Sequence, residues 1–196
     1  MSVPESTAAP ASCGVALAGC ATDIIEIAAF RIGEPAVREL AARRAWTLPG
    51  HGRLTRGAHG VALCVRPGRW LLLSPPGAPG AAAASWQSEC AGTAAALDLS
   101  SALVALHLAG PATRAMLSRG CRVDIDPSSF PVGSAAATVI AQVTVLLAAL
   151  SSGMLLLTPA TTAAHLREWL VSTARPFGLD AAHGATVETF SGEFIA

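Results

Sequence analysis

Lysine and tyrosine are both absent from this sequence, and charged side chains make up only 13% of its 196 residues. All 13 cations are arginines, and 13 acids balance them to a net charge of zero. A chain without net charge has no overall field to attract nucleic acid or an anionic membrane. Apolar residues reach 52%. Two interpretations stay open: a GC-rich genome that favours alanine and arginine, or a partner protein that covers part of the surface.

The sequence signatures of common active sites are also missing. There is no G-x-G-x-x-G, P-loop, G-x-S-x-G or H-E-x-x-H motif, so nucleotide binding, serine-hydrolase and zinc-protease chemistry have no support. The cysteines are odd in number and no two have C-x-x-C spacing. They predict free, mostly buried thiols in a reducing compartment, and they argue against zinc. They are Cys13, Cys20, Cys64, Cys90 and Cys121.

The longest uncharged stretch lies between Asp126 and Arg167. Within it, Val139–Leu157 has nearly the length of a membrane-spanning helix. Its first residues alternate as in a β-strand, and Ser151-Ser152-Gly153 predicts a hairpin turn. We therefore expect buried antiparallel strands, with a membrane helix as the weaker alternative. Leu17–Cys20 is similar to a lipoprotein cleavage site but no basic residue precedes it, so we expect a cytoplasmic protein.

Periodicity and turn residues predict alternating strands and helices. The third helix should open at Pro111 and end at Gly120 in a left-handed cap, and the fourth should have Thr158 as its N-cap before Pro159. The predicted helices are 34–45, 78–92, 110–120 and 158–175. The predicted strands are 22–31, 60–65, 69–74, one or two within 96–109, two in the uncharged stretch, and 153–159.

The order of these elements repeats. "PAVREL" at Pro35–Leu40 is echoed by "PATRAML" at Pro111–Leu117, and "WLLLSP" at Trp70–Pro75 by "MLLLTP" at Met154–Pro159. The two offsets, 76 and 84 residues, differ by a length that one longer loop explains. The fold class is therefore α+β, with internally duplicated strand–helix–strands–helix units whose sheets and helices bury each other's apolar faces.

The same pattern predicts the domain organisation. Residues 1–20 form a disordered or extended N-terminal arm, and residues 21–179 form a single duplicated domain. Its halves are about 21–97 and 98–175. Residues 180–196 form a C-terminal tail or an added strand.

Cys121 is the most conspicuous candidate for chemistry. Arg119 and Arg122 flank it, and Asp124 and Asp126 follow closely. Cations lower a thiol pKa, so a reactive thiol or a metal site are both open. We favour a structural junction, because the cysteine follows a predicted helix end and no histidine is near it in the sequence. His107, in an apolar strand, is read as a core residue rather than a base.

Residues 22–175 resemble the gamma subunit of heterotetrameric sarcosine oxidase. An Asp-hydrophobic-Ser leads a strand, a Gly-Pro-Ala opens a helix, a Gly-Cys closes it, and an acidic stretch follows. The matching residues are Asp98-Leu99-Ser100, Gly110-Pro111-Ala112, Gly120-Cys121, Asp124–Asp126, Phe130-Pro131, Gly133, Thr138, Gly68–Pro76 and Leu166–Leu170. The sequence departs from the family where cations are common, at Ala148-Ala149 and Ala160-Thr161.

The resemblance implies a fold similar to the folate-binding domain of aminomethyltransferases. It implies a non-catalytic subunit with alpha, beta and delta partners, in a complex that demethylates sarcosine oxidatively to glycine and hydrogen peroxide. The one-carbon unit passes to tetrahydrofolate. FAD, FMN, NAD, tetrahydrofolate and zinc are implied for the other subunits. We expect no catalytic, cofactor-binding or metal-binding residue in this chain, and neither a nucleic-acid nor a membrane partner.

Two alternatives remain. The chain could be a free-standing folate-binding or one-carbon-transfer module, for which Asp98 and Glu26 are the candidate pterin-binding acids. It could also be the equivalent subunit of a related oxidase that demethylates another N-methyl amine.

One charged region is a candidate contact surface. Eight arginines lie between Arg31 and Arg69, against only Glu34 and Glu39, whereas residues 180–193 include Asp180, Glu188 and Glu193 and no arginine. The arginines predict either a solvated basic face or a patch that meets an acidic surface of a larger subunit. Few aromatic residues lie among them, which argues against nucleic acid.

Overall fold

The computed structural model describes residues 14–180 and 187–189. In these residues strands predominate, and four α-helices and one short 3₁₀ helix connect them. The strands are β1 (Val15–Ala21), β2 (Asp23–Ala29), β3 (Arg53–Gly57), β4 (Gly60–Arg66), β5 (Arg69–Ser74), β6 (Ala94–Asp98), β7 (Leu103–Ala109), β8 (Ala135–Ile140), β9 (Val143–Leu150), β10 (Gly153–Pro159), β11 (Leu179–Asp180) and β12 (Val187–Thr189). The helices are α1 (Glu34–Arg43), α2 (Ala81–Cys90), α3 (Thr113–Leu117), α4 (Ala160–Ala174) and the 3₁₀ helix Arg175–Phe177.

The strands form two sheets. Sheet I has the order β3-β4-β5-β2-β6, and all its neighbouring strands are antiparallel. Sheet II has the order β11-β1-β7-β10-β9-β8 and is antiparallel from β1 to β8. At its other edge, β11 and β12 both run parallel to β1.

The two sheets pack face to face, with helices on their outer faces. Leucine, isoleucine and valine of sheet I meet leucines and alanines of sheet II in one buried cluster. A second cluster lies between sheet I and helices α1 and α2, and a third between sheet II and helices α3 and α4. Each sheet thus buries both of its faces, which is why its strands read as nearly continuous apolar runs.

The predicted α+β fold and its duplication are confirmed. Strand β2, helix α1, strands β3–β5 and helix α2 are repeated as β7, α3, β8–β10 and α4. The longer loop inferred from the unequal offsets corresponds to residues 118–134, between α3 and β8, against residues 44–52 between α1 and β3.

The two units also exchange their first strands. Strand β1 lies in sheet II beside β7, yet it leads directly into β2 of sheet I. Strand β6 lies in sheet I beside β2, yet it leads into β7 of sheet II. Backbone bonds from Leu54 to Gly133 and from Ala135 to Gly52 join β3 to the start of β8. The sheets are therefore linked through the main chain as well as through side chains.

Three predicted helix ends are wrong, two in α3 and one in α4. The helix expected from Pro111 to Gly120 is only Thr113–Leu117, because turns occupy both flanks. Helix α4 begins at Ala160 rather than at Pro159, and Thr158 does not cap it. The Thr158 hydroxyl lies in the sheet and donates to the Thr144 carbonyl at 3.3 Å. In the part of the chain that the structure describes, no helix is both long and apolar enough to cross a membrane.

The structure also places parts of the predicted arm and tail. Residues 15–20 of the arm lie in β1, while residues 1–13 are outside the described residues. Two short segments of the predicted tail, in β11 and β12, pair with β1.

Candidate functional site

Cys121 is half-buried in a segment that is joined to the β8–β9 hairpin. Its own N–H donates to the Leu117 carbonyl at 2.9 Å, at the end of α3. The neighbouring residues bond across to the hairpin: Arg122 N–H donates to Val139, and Ala141 N–H to Gly120, each at 3.3 Å. The thiol therefore sits at a junction between a helix end and two strands, where backbone bonding fixes the chain.

Gly120, before this cysteine, is needed for a reason other than the predicted one. The left-handed cap expected here is wrong, because Gly120 has no positive φ, unlike Gly92 at the end of α2. A Cβ at Gly120 would instead lie 2.5 Å from Cζ2 and 2.8 Å from Cη2 of Trp169. The indole of Trp169, on α4, covers the glycine and leaves no space for a side chain.

The charged neighbours of Cys121 are engaged elsewhere. The Arg119 guanidinium lies over the ring of Phe177, 4.6 Å from its centroid, in a cation–π contact. Arg122 bonds to the Gln142 side chain at 3.5 Å.

The two acids after the cysteine form turns. Asp124 accepts the N–H of Asp126 at 3.0 Å, and Asp126 accepts the N–H and hydroxyl of Ser128 at 2.9 and 2.6 Å. A hydrogen bond from the Ser129 hydroxyl lowers the pKa of Asp124, and one from the Ser128 hydroxyl lowers that of Asp126. Both carboxylates are therefore acceptors of local turns.

His107 lies on β7 and is only 6% exposed. Its Nε2 is 3.2 Å from the hydroxyl of Ser152. Burial lowers the pKa of His107 to about 4, because the charged imidazolium loses its hydration. At neutral pH the ring is uncharged and hydrogen-bonded, which fits the predicted core role.

The two acids considered for a pterin ring are not buried, unpaired carboxylates. Asp98 is exposed and accepts the N–H of Ser100 at 2.9 Å. Hydrogen bonds from Ser100 lower the pKa of Asp98. Glu26 forms an ion pair with Arg69 at 3.0 Å. A pterin at either position would have to compete with these partners.

The arginine-rich region divides into paired and unpaired residues. Arg38, Arg43, Arg44 and Arg69 pair with Glu34, Glu39, Glu89 and Glu26, respectively. Arg38 and Arg44 also stack on the rings of Trp70 and Trp86. Arg56 bonds to the Ser151 hydroxyl at 3.2 Å. The remaining three, Arg31, Arg53 and Arg66, are exposed and have no ion pair among residues 14–180. The side chains of Asp180 and Glu188, and all of Glu193, lie outside the described residues.

Among the described residues, the cysteines belong to no group that could hold a metal ion. Cys20, Cys64 and Cys90 are buried free thiols, as predicted, and Cys13 lies outside the described residues. Burial raises the pKa of Cys64 and Cys90, so both thiols stay protonated at neutral pH. Across the described ranges, no three His, Cys, Asp or Glu residues are close enough to hold a metal ion.

Sequence reasoning missed one feature, a set of exposed apolar side chains. Ile32 is 91% exposed, Val132 60%, Phe30 50% and Leu97 48%. The available signal was the isoleucine at position 32, between an arginine and a glycine in a segment that had to turn between β2 and α1. A single exposed apolar side chain is ordinary on a protein surface, but several that lie together indicate a site of interaction with a partner.

The comparisons with known proteins agree with this architecture. A chain of the heterotetrameric sarcosine oxidase from Corynebacterium sp. U-96, solved in complex with pyrrole 2-carboxylate, superposes with a TM-score of 0.74. It is 25% identical, and the match covers 84% of this chain and 85% of that one. The glycine cleavage system aminomethyltransferase T from Bartonella henselae superposes with a TM-score of 0.64 at 15% identity. This match covers 86% of this chain but 48% of the transferase, and it shows the fold alone.

Sequence comparisons define the family. No curated protein has a significantly similar sequence. The model of the family described as "Sarcosine oxidase, gamma subunit family" matches residues 37–172, which span α1 to α4 and include the Cys121 junction. This match covers most of the duplicated fold, so the chain belongs to the sarcosine oxidase gamma subunit family.

Proposed function

We propose that this chain is the non-catalytic gamma subunit of a heterotetrameric sarcosine oxidase. The complex would demethylate sarcosine oxidatively to glycine and hydrogen peroxide and pass the one-carbon unit to tetrahydrofolate. The observation that carries the proposal is the family match, together with the superposition on a sarcosine oxidase chain over most of both lengths. Membership alone makes the chain part of an oxidoreductase complex.

The geometry of the candidate residues supports a role without chemistry. A catalytic thiol, base or acid needs an accessible group that is free to exchange a proton. Here His107 is buried and bonded to Ser152, and Asp98 and Glu26 are held by their own partners. Cys121 is half-buried, and its backbone bonds to Leu117 and bridges to Ile140, which is a structural position.

The cofactors and partners follow from the family. FAD, FMN, NAD, tetrahydrofolate and zinc would be held by the alpha, beta and delta subunits, and this chain would contribute none of their ligands. Its low charge and high apolar content fit a subunit whose surface is partly covered in the assembly.

Co-expression tests the proposal. A tagged copy is produced in the cytoplasm of a host cell together with the alpha, beta and delta subunits of the same organism. All three partners should co-purify with it. The purified complex should oxidise sarcosine with release of hydrogen peroxide. The chain produced alone should aggregate or be poorly soluble, and should show no flavin absorbance and no stoichiometric zinc. A stable monomer with no affinity for the other subunits would refute the proposal.

A free-standing folate module would behave differently. It would bind tetrahydrofolate at micromolar concentration in calorimetry without any other subunit. The same titration on the assembled complex serves as the positive control, since the proposal assigns folate binding to a partner subunit. Binding to the isolated chain that is lost in Glu26→Gln or Asp98→Asn would favour the module over the subunit.

A further inference from the structure

Phe30, directly after β2, and Leu97, on β6, are exposed although both lie on the side of sheet I that faces sheet II. In the pairing of β2 with β6, Ala28 lies opposite Ala95 and Glu26 opposite Leu97. The N–H of Phe30 donates to Thr93 at 2.8 Å, which extends this pairing beyond the strands. Directly opposed residues point to the same side of a sheet, and so do residues two apart along a strand. Phe30 and Leu97 therefore project from one face, each about half exposed.

Sheet II covers only the other end of that face. Ile24, two residues before Glu26, and Leu73, opposite Ile24, are 1% and 0% exposed in the cluster between the sheets. Exposure rises along the strands to 48% for the side chain of Arg69, which lies opposite Ala28. The part of this face that runs from Leu97, opposite Glu26, to Phe30, four residues further along the chain from Glu26, thus lies outside the cover that sheet II provides.

A rigid turn presents a third apolar side chain at this end. The Gly33 N–H donates to the Phe30 carbonyl at 2.8 Å and closes a four-residue turn with Arg31 and Ile32 at its corners. A Cβ at Gly33 would lie 1.9 Å from the Thr93 carbonyl oxygen, so the turn is pressed against the start of β6. Ile32 is held outward by backbone geometry, and little ordering remains to be lost on binding.

Positive charge surrounds the apolar residues. Arg66 and Arg69 lie opposite each other beside the Pro67-Gly68 turn, and Gly68 accepts the N–H of Ala29 at the end of β2. Arg31 lies in the neighbouring turn. Of these three arginines, only Arg69 has an ion pair among the described residues, with Glu26. The local charge is thus positive, which favours a partner surface that carries carboxylates.

The second unit closes the corresponding edge with its own chain. Strand β1, the counterpart of β6, has β11 and β12 beside it. No strand among the described residues lies beyond β6, and one of its backbone donors, the N–H of Ala96, bonds to the Gln87 side chain instead. The unit with the open edge carries three of the four exposed large apolar side chains of the described residues, namely Phe30, Ile32 and Leu97.

We propose that this end of sheet I docks on a larger subunit of the oxidase, at an apolar hollow flanked by carboxylates. The docking surface consists of Phe30, Ile32 and Leu97, with Arg31, Arg66 and Arg69 around them. The inference rests on the proposed function, and it specifies which surface makes the contact.

Ile32→Asp is the decisive variant, because the side chain is almost fully exposed and folding does not depend on it. Val132→Asp, exposed in the loop before β8, is the matched control. The association of each variant with the alpha, beta and delta subunits is measured by co-purification. It is also measured by binding to the immobilised partner subunits at two salt concentrations. We expect Ile32→Asp to bind on the order of tenfold more weakly or worse, and Val132→Asp to bind like the wild type.

The charge is tested in the same assay. Arg31→Glu with Arg66→Glu should weaken binding and flatten its salt dependence, whereas Arg175→Glu, an exposed cation after α4, should change neither. Normal assembly of Ile32→Asp and of the double variant would overturn the inference while leaving the proposed function intact. Failure of the wild type to assemble would refute the proposed function instead. A third outcome would also overturn the inference: the wild type forms a discrete dimer, Ile32→Asp dissociates this dimer, and assembly with the other subunits is unchanged. The docking surface would then bind a second copy of this chain.

Discussion

Replacement of Gly120 by alanine tests whether this glycine is required by packing or by backbone conformation. The added methyl would lie 2.5 and 2.8 Å from two carbons of the Trp169 ring, where carbon atoms in contact are normally about 3.5–4.0 Å apart. The indole or the chain at the Cys121 junction must therefore move by roughly 1 Å. Overpacking of this kind costs about 1–3 kcal/mol, so we expect the free energy of unfolding to fall by about 2 kcal/mol.

A double-mutant cycle with Trp169→Ala separates the two explanations. Once the ring is removed, the methyl group of the alanine has space. Because alanine lowers the conformational entropy of the unfolded chain, Gly120→Ala should then be neutral or stabilising by about 0.5 kcal/mol. The coupling between the two positions should therefore be about 2 kcal/mol or more. Urea unfolding at high dilution, where aggregation of the isolated chain is limited, measures this coupling when it is followed by far-UV circular dichroism, which does not rely on tryptophan fluorescence.

Gly92 supplies the matched control. Its φ is +82°, and a Cβ there would have no atom within 4 Å, so Gly92→Ala changes only backbone strain. It should cost about 1 kcal/mol both with and without Trp169. If Gly120→Ala behaves like Gly92→Ala, with the same cost in both backgrounds, the packing argument is refuted.

Three further predictions concern single residues. Cys121→Ala should cost at most about 2 kcal/mol and leave sarcosine turnover of the assembled complex near normal; turnover that falls by orders of magnitude in a fully assembled complex would make the thiol part of the mechanism. His107 has a pKa of about 4 when folded against about 6.5 when unfolded, so the unfolded state binds more protons between these values. Stability should therefore be full above pH 6.5 and fall by about 2 kcal/mol between pH 7 and pH 5; unfolding at both pH values should show this loss in the wild type and not in His107→Gln, and equal losses would contradict it. Gly33→Ala should destabilise the fold more than Gly120→Ala, because its Cβ would meet the backbone oxygen of Thr93 rather than a side chain; thermal unfolding that ranks them in the opposite order would count against this comparison.

The features that could be predicted from the sequence are those with local causes. Helix α1 begins at Glu34, as predicted, with Pro35 in its first turn. The break predicted between strands 60–65 and 69–74 is confirmed as a turn at Pro67-Gly68, with the glycine at φ +71°. The uncharged stretch forms antiparallel strands, although its alternation runs through a tight turn at Ala141-Gln142, where both residues have positive φ.

The features that escaped prediction depend on distant contacts. The sequence predicts residues 15–20 as part of an arm, whereas they lie in β1. The alanines and glycine between Val15 and Cys20 give a weak strand signal. Its place in sheet II comes from pairing with β7, about 90 residues away. The need for Gly120 also comes from another element, the ring of Trp169. Local patterns cannot report a contact that only the folded topology creates.

The close packing between the two sheets argues against a ligand site inside this fold. Leu73, Leu155 and Leu157 meet there with at most 1% exposure, and Ala105, Ala135 and Ala148 let the two sheets approach closely. A ligand between the sheets would have to displace these close-packed side chains at the cost of their burial. A fold shared with an aminomethyltransferase does not carry that enzyme's chemistry with it, since function depends on the residues of a site. With the interior filled by its own leucines and alanines, the chain has its outer surface left for specific contacts, and the exposed apolar residues lie there. This distribution supports a subunit that acts by association.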